Sequence, residues 1–332
     1  CVNESRPGVT SPLLSPDQAL VYMGKVLEKE PRISVAGIAG PGDPFANPEE
    51  TLETMRQIRK QYPDTILCLS SNGMNLAPHV PELAEIGVSH VTITINAVDP
   101  EITQHIYAWV RDGKVLYRGK QGAELLLARQ LQAIEALKKH GITVKINTIV
   151  IPGINDHHVP VLAAKMKEMG VDLLNCMAMF PNADTAFEHI EEPSKEMMER
   201  IRNEAEQFLP QMRHCTRCRA DAVGLLDNDK TEEFRGCLSA CAQLPKPEET
   251  ARPYVAVATL EGVLVNQHLG EASRFQIWGE DGEGGYKLFE ERTAPPAGGG
   301  AQRWHNISRL LADCRAILVN DLGDSPKEIL KK

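Results

Sequence analysis

A rhythm constrains this chain more than any single residue does. From Ser15 to Ala178, short apolar runs alternate with amphipathic stretches of helical period. "SPDQALVYMGKVLEK" (15–29) opens it: Ser15 suits an N-cap, Pro16 the first helical position and Asp17 the positive end of the helix dipole. Ala19, Leu20, Met23, Val26 and Leu27 then fall on one face. "RISVAGIAGPGDP" follows as a buried strand and its glycine-rich loop. The pattern repeats as helix 48–61 with strand 65–70, helix 80–86 with strand 91–96, helix 122–140 with strand 143–150, and helix 158–169 with strand 172–178. Buried strands separated by helices imply a parallel sheet. The expected fold is α/β, a partial (β/α)6 barrel whose sixth strand would precede Cys1; an open doubly wound sheet is the alternative.

Residues 107–121, "YAWVRDGKVLYRGKQ", interrupt the rhythm, and "RDG" between apolar runs predicts an inserted hairpin. Helix 194–208 leads into a cysteine pair. "QLPKPEETARP" (243–253) has the proline and charge of a linker. Beyond it, "YVAVATLEGVLVNQHLG" and "RFQIWGE" read as strands, "PPAGGGAQ" as a loop, 303–313 as a helix and "RAILVN" as a strand. The expected division is a barrel with its extension over 1–242, a linker over 243–253, and a small α/β domain over 254–332. Cys1 opens the chain without an initiator methionine, which reads as an internal start.

Forty-two per cent apolar residues supply a sizeable core, and a net charge of −9 without a long basic run argues against a nucleic-acid partner. No apolar run is long enough to cross a bilayer as a helix. Eight cysteines in 332 residues are too sparse for a disulfide scaffold and point to metal or catalysis in a reducing, cytoplasmic compartment.

Barrel chemistry gathers at the C-terminal ends of the strands, where four stretches stand out. "AGPGDP" offers Gly42 for close backbone approach and Asp43 as an acceptor. "CLSSNG" sets Cys68 within a strand and Ser70, Ser71 and Asn72 at its mouth. In "VTITIN", Thr92, Thr94 and Asn96 share one face, expected to look inward, while Val91, Ile93 and Ile95 face the helices. In "KINTIVIPGIND", Ile146 and Asn147 take opposite faces, an apolar surface and an amide for a base. Cys215 and Cys218 in "RHCTRC" follow a helix, unlike a thioredoxin-type pair. With Cys237 and Cys241 they approach a zinc pattern, although the second pair is CxxxC; arginines 213, 217 and 219 equally favour thiolates on an iron–sulfur cluster. Cys1, Glu4 and Arg6 form a dense polar cluster before the first helix.

Taken together, "CVNESRPGV", "AGPGDP", "LCLSSNGM", "VTITINAVDPEI", "VIPGIND" and "HCTRCRADAVG" resemble the NifB family, radical S-adenosylmethionine maturases of the nitrogenase iron–molybdenum cofactor. The resemblance implies a lyase-type radical enzyme that inserts carbide while fusing two 4Fe-4S clusters into an eight-iron precursor. It assigns Gly42, Asp43, Ser70, Asn72, Thr94, Asn96, Ile146 and Asn147 to S-adenosylmethionine. Cys1 and Cys68 are assigned to one substrate cluster, Cys215 and Cys218 to the other, and catalytic roles to Glu4 and Cys68. The family's CxxxCxxC loop, which holds a third, reducing cluster, would lie upstream of Cys1. Residues 254–332 resemble a NifX-like domain of ribonuclease-H-like type, with His268 a metal ligand. Implied partners are iron–sulfur cluster donors, a reductant protein and downstream cofactor carriers or scaffolds, with no nucleic acid or membrane. A non-catalytic cluster carrier and a zinc-stabilised barrel enzyme are the competing readings.

Overall fold

In the computed structural model of the chain, residues 13–40, 42–183, 185–212, 223–225, 228–244, 252–281 and 285–330 are described. The chain divides into two units, Cys1–Lys246 and Pro247–Lys332, which part within the 243–253 stretch.

The first unit starts with helix α1 (Pro16–Lys29). Ser15 Oγ accepts from the Gln18 N–H at 3.3 Å, and Gln18 Oε1 accepts from the Ser15 N–H at 2.9 Å, so two otherwise unpaired backbone donors are satisfied reciprocally. Then come β1 (Val35–Ile38), α2 (Pro48–Gln61), β2 (Ile66–Ser71), α3 (Val80–Ile86), β3 (His90–Thr94), α4 (Pro100–Ile106), the hairpin β4 (Val110–Asp112) and β5 (Val115–Tyr117), α5 (Gly119–Lys139), β6 (Thr143–Val150), α6 (Val159–Glu168), β7 (Leu173–Ala178) and α7 (Lys195–Glu206). The helix, strand and hairpin rhythm read from the sequence is present; α4 is an addition, its Asp99 cap accepting from the Glu101 N–H at 2.9 Å.

Strands β1, β2, β3, β6 and β7 form a parallel sheet in that order. Spatial order follows chain order without reversal, as in a barrel; a doubly wound sheet reverses at a switch point. The sheet does not close among the described residues. Beside β7, the Leu174 N–H donates to Pro210 O at 3.0 Å and the Met212 N–H to Leu174 O at 2.9 Å, so the chain after α7 runs parallel to the outer strand. A two-residue hairpin, β8 (Gly224–Leu225) and β9 (Asn228–Asp229), precedes α8 (Thr231–Ala242), a helix that the cysteine pattern did not announce. The Gln18 amide on α1 donates to Ala242 O at 3.3 Å and Leu244 O at 2.7 Å, satisfying carbonyls at the end of α8.

The main core lies on one face of this sheet. Leu67, Leu69, Val91, Ile93, Val144, Ile146, Leu174 and Cys176 meet Leu52 and Met55 of α2, Leu83 of α3, Ile134 and Leu137 of α5, Leu162 and Met166 of α6, and Ile201 of α7. Strand alternation sends the intervening residues to the opposite, inner face.

The second unit is a four-stranded sheet with order β12 (Tyr286–Thr293), β11 (Arg274–Glu280), β10 (Tyr254–Val257), β13 (Cys314–Leu318); β10–β13 is its parallel pair. Helices α9 (Ala301–Leu310) and α10 (Asp324–Ile329) complete it. Ala256, Phe275, Ile277, Ile307 and Leu311 form its core. The long strand expected from 254 to 270 stops at Val257. Thr259 Oγ1 accepts from the Gly262 N–H at 2.9 Å and Asn266 Oδ1 from the Leu260 N–H at 3.1 Å, local bonds that replace a sheet ladder. β12 escaped the pattern because it is an exposed edge strand, "YKLFEERT", with charges on both faces.

Candidate functional site

Register sorts the inner face into rows. Gly37, Cys68, His90 and Thr143 stand in the first; Ser70, Thr92, Lys145 and Leu173 in the second; Thr94, Asn147 and Asn175 in the third, at the strand ends. Four residues separate the first row from the third, about 13 Å along the strands. This face is polar where the other is a hydrocarbon layer.

The strand-end loops are held by polar side chains. Asp43 Oδ1 accepts from the Phe45 N–H at 2.9 Å, and Asp43 Oδ2 accepts from the Ser71 hydroxyl at 3.0 Å and the Asn72 N–H at 2.5 Å. One carboxylate thus ties the "AGPGDP" loop to the end of β2. Gly42 beside it is exposed with φ at 89°, a left-handed conformation that glycine adopts without strain. Asn72 Oδ1 accepts from the Met74 N–H at 2.8 Å, forming a turn at the strand end. The Gln130 amide on α5 donates to Asn72 O and Thr94 O, both at 2.9 Å, so one buried helix residue fixes two strand ends.

Asn96 is committed within the protein. Its oxygen accepts from the Ile149 N–H at 2.9 Å, and its nitrogen donates to the Tyr107 hydroxyl at 2.9 Å. Asn155 extends the latch, donating to Asn96 O and Ile149 O at 2.8 Å and accepting from the Ile151 N–H at 2.7 Å. Burial pushes the Tyr107 phenol up to about 12, so it stays protonated. Asn147 Oδ1 accepts from the Asn175 amide at 3.1 Å, which orients the Asn147 side chain.

Cys68 sits in the first row. A Cβ on Gly37 would lie 2.8 Å from its sulfur, so the glycine makes room for the thiol. Burial pushes the Cys68 thiol up, while the Lys145 ammonium pulls the other way. On the helix-packed face, Cys176 is 1 % exposed and pushed by burial to about 12. Cys314, pushed by burial to about 11, belongs to the second unit's core. Cys237 and Cys241 lie one turn apart on α8, Cys241 buried. No group of three metal-ligating side chains occurs among the described residues.

The structure therefore brings Ser70, Asn72, Thr94, Asn147 and Cys68 to one side of the sheet or its rim. It corrects Ile146: this residue is fully buried in the helix-packed core, on the face opposite Asn147, because parity forbids neighbours in a strand from sharing a ligand. Cys1, Glu4, Cys215 and Cys218 lie outside the described residues. In the second unit, His268 precedes a short 3-10 turn, and its Nδ1 accepts from the Gly270 N–H at 3.0 Å. The neutral ring therefore carries its proton on Nε2. Sequence reasoning missed Gln130, Asn155 and Asn175, all buried polar residues, and Lys145; polar residues at apolar positions of the helix and strand patterns were their available signal.

S-adenosylmethionine is a polar sulfonium with amine, carboxylate, ribose and base. The neutral amides and hydroxyls of the inner face, with the open backbone at Gly42, fit such a molecule. Cys68 is the one thiol on the same face among the described strand residues, and it suits iron–sulfur chemistry.

Two family models match the chain: the radical SAM superfamily over residues 1–166 and the dinitrogenase iron–molybdenum cofactor family over residues 252–332. The FeMo cofactor biosynthesis protein NifB of Chlorobaculum tepidum is 53 % identical over 332 residues, covering all of this chain and 78 % of the relative. The NifB of Klebsiella pneumoniae is 37 % identical over 371 residues, again covering all of this chain and 78 % of the relative. That of Herbaspirillum seropedicae is 36 % identical over 373 residues, covering all of this chain and 71 % of the relative. Radical SAM membership brings S-adenosylmethionine and iron–sulfur clusters as the cofactors of the chemistry. Matched along its whole length, and by both domain models, the chain belongs to the NifB family of radical S-adenosylmethionine enzymes that serve FeMo-cofactor biosynthesis.

Proposed function

We propose that the chain fuses two 4Fe-4S substrate clusters around a carbon taken from S-adenosylmethionine, forming the eight-iron precursor of FeMo cofactor in a lyase-type reaction. The observation that supports this reading is the two-level inner face: a thiol row lies about 13 Å below a ring of strand-end amides and hydroxyls, on one continuous surface. Bound S-adenosylmethionine, with the reducing cluster of an upstream CxxxCxxC loop, supplies a hydrogen-abstracting radical and a methyl carbon.

The chain's own residues bind, orient and exclude. Asp43 holds the "AGPGDP" loop in place so that backbone beside Gly42 receives the amine. Thr94 and Asn147 share the row that meets ribose and base, with the Asn147 amide oriented by Asn175. Ser70 and Asn72 line the approach, and Asn96 and Gln130 keep the strand ends together. Cys68 ligates the first substrate cluster with Cys1, and Glu4 handles a proton there; Cys215 and Cys218 ligate the second. His268 receives the finished cluster in the second unit; iron ligation through Nε2 requires its Nδ1 bond with Gly270 to be given up. Partners are cluster donors, a reductant protein and carriers or scaffolds that take the product. The compartment is the cytoplasm; no helix among the described residues is long and apolar enough to cross a membrane.

Cys68→Ala in the full chain tests the reading. The expected outcome is continued 5′-deoxyadenosine formation with loss of the eight-iron product, followed by chromatography and iron analysis under anaerobic conditions. Normal yield of that product from the variant would overturn the assignment of Cys68, and cluster binding without S-adenosylmethionine cleavage in the parent chain would make it a carrier.

A further inference from the structure

We propose that Lys145 is the cationic contact of the iron–sulfur substrate held at Cys68, a residue of "KINTIVIPGIND" to which the family resemblance gives no role. The inference rests on the reading of Cys68 as a cluster ligand.

Placement carries the argument. Lys145 stands in the second row, in register with Thr92 and, through it, Ser70. It lies between the row of the thiol and the row of Thr94 and Asn147. Among the described residues of the five strands, it is the inner face's one lysine or arginine, and that face carries no aspartate or glutamate. The residue is half-buried, and its ammonium lies 3.6 Å from Met212 Sδ, a weak acceptor. Among the described residues no carboxylate pairs with it. A half-buried charge facing neutral amides and hydroxyls is costly unless something anionic shares the space.

The proposed substrate becomes such an anion on reduction: a 4Fe-4S core of charge 2+ or 1+ held by the thiolates of Cys1 and Cys68 is neutral when oxidised and singly negative when reduced, its negative charge lying on sulfides and thiolate sulfurs. A lysine answers it as a compact point charge that needs no planar, bidentate partner. The carboxylate of S-adenosylmethionine is the other anion within the same chemistry, so the test must separate the two.

The full chain, its Lys145→Met, Lys145→Arg and Cys68→Ala variants are reconstituted anaerobically with ferrous iron and sulfide. Iron per chain, the midpoint potential of the Cys68-dependent paramagnetic signal, and S-adenosylmethionine affinity by equilibrium dialysis are read for each. Lys145→Met is expected to weaken loading of the Cys68-dependent cluster by about tenfold, a discounted value for one unit charge in a half-buried site. It should also move that cluster's midpoint to more negative potential, with S-adenosylmethionine affinity within about twofold; Lys145→Arg should restore both cluster readouts. A removed methylammonium is replaced by a side chain of similar stem, and Lys145→Gln repeats the measurement should methionine disturb Met212. Unchanged loading and midpoint in Lys145→Met and Lys145→Gln overturn the proposal. Weakened S-adenosylmethionine binding with an unchanged cluster also overturns it, assigning the ammonium to the sulfonium's carboxylate. Undiminished cluster in Cys68→Ala overturns the underlying reading instead, whatever the lysine variants do.

Discussion

The two faces of the five-stranded sheet are built from the same strands and behave as different materials. In β6, Val144, Ile146 and Val150 pack against helices, while Lys145 and Asn147 on the alternate positions face the inner side. In β2 and β7 the contrast extends to one residue type: Cys68 lies on the inner face and Cys176 on the helix-packed one. What a side chain does here depends less on its identity than on which side of the pleat it takes. Packing energy accumulates on one side, and most of the polar side chains stand on the other.

The contrast breaks most readily at Ile146 and Asn147. Ile146→Ala should destabilise the first unit by about 2–5 kcal/mol in denaturant unfolding, through lost burial and a cavity, while S-adenosylmethionine affinity stays within about twofold. Asn147→Ala should do the reverse, weakening affinity with a smaller stability loss of about 1 kcal/mol. Equal effects of the two substitutions on affinity would abolish the distinction between faces.

Gly37→Ala probes the thiol row. Its Cβ would stand 2.8 Å from Cys68 Sγ, so the sulfur must move. An overpacking cost of about 1–3 kcal/mol is expected, together with reduced iron at Cys68 on reconstitution. Full iron loading with unchanged stability would show that the thiol has space the structure does not give it.

The two thiols supply the smallest and cleanest comparison. The Cys176 folded value, about 12, lies above the ordinary thiol value of 9.0 because burial disfavours the thiolate. A raised folded value means that the unfolded chain loses its proton first. Stability from this group is complete below pH 9 and declines as pH rises toward 12, by at most about 1.4 kcal/mol per pH unit. Cys176→Ala should flatten that part of the alkaline limb in unfolding curves measured across the interval. Alkylation at pH 9 should label Cys68 ahead of Cys176; the opposite order would reverse the assignment of faces.

Most elements were legible because their signals are local. Ser15, Pro16 and Gln18 specify the start of α1 within four residues, and the apolar runs of β2, β3, β6 and β7 announce buried strands. β12 and α8 were not, since an edge strand and a peripheral helix carry little periodic apolar signal. The site was legible as a set of loops but not as contacts. Asp43 reads as a free acceptor in "AGPGDP", yet Ser71, Asn72 and Phe45 occupy it. Asn96 reads as a ligand group, yet Tyr107 and Ile149 claim both ends of its amide.

By itself, the sequence determined the parallel α/β class, the family, and which residue types are available for S-adenosylmethionine and iron–sulfur chemistry, because strand parity, capping and motif spacing act between near neighbours in the chain. Tertiary structure alone decided that Ile146 belongs to the core, that Gln130 and Asn155 hold the strand ends, and that Lys145 shares a surface with Cys68. Those relations depend on strand register and on helices packed from distant segments, where burial and hydrogen bonding choose among partners that no local pattern can rank.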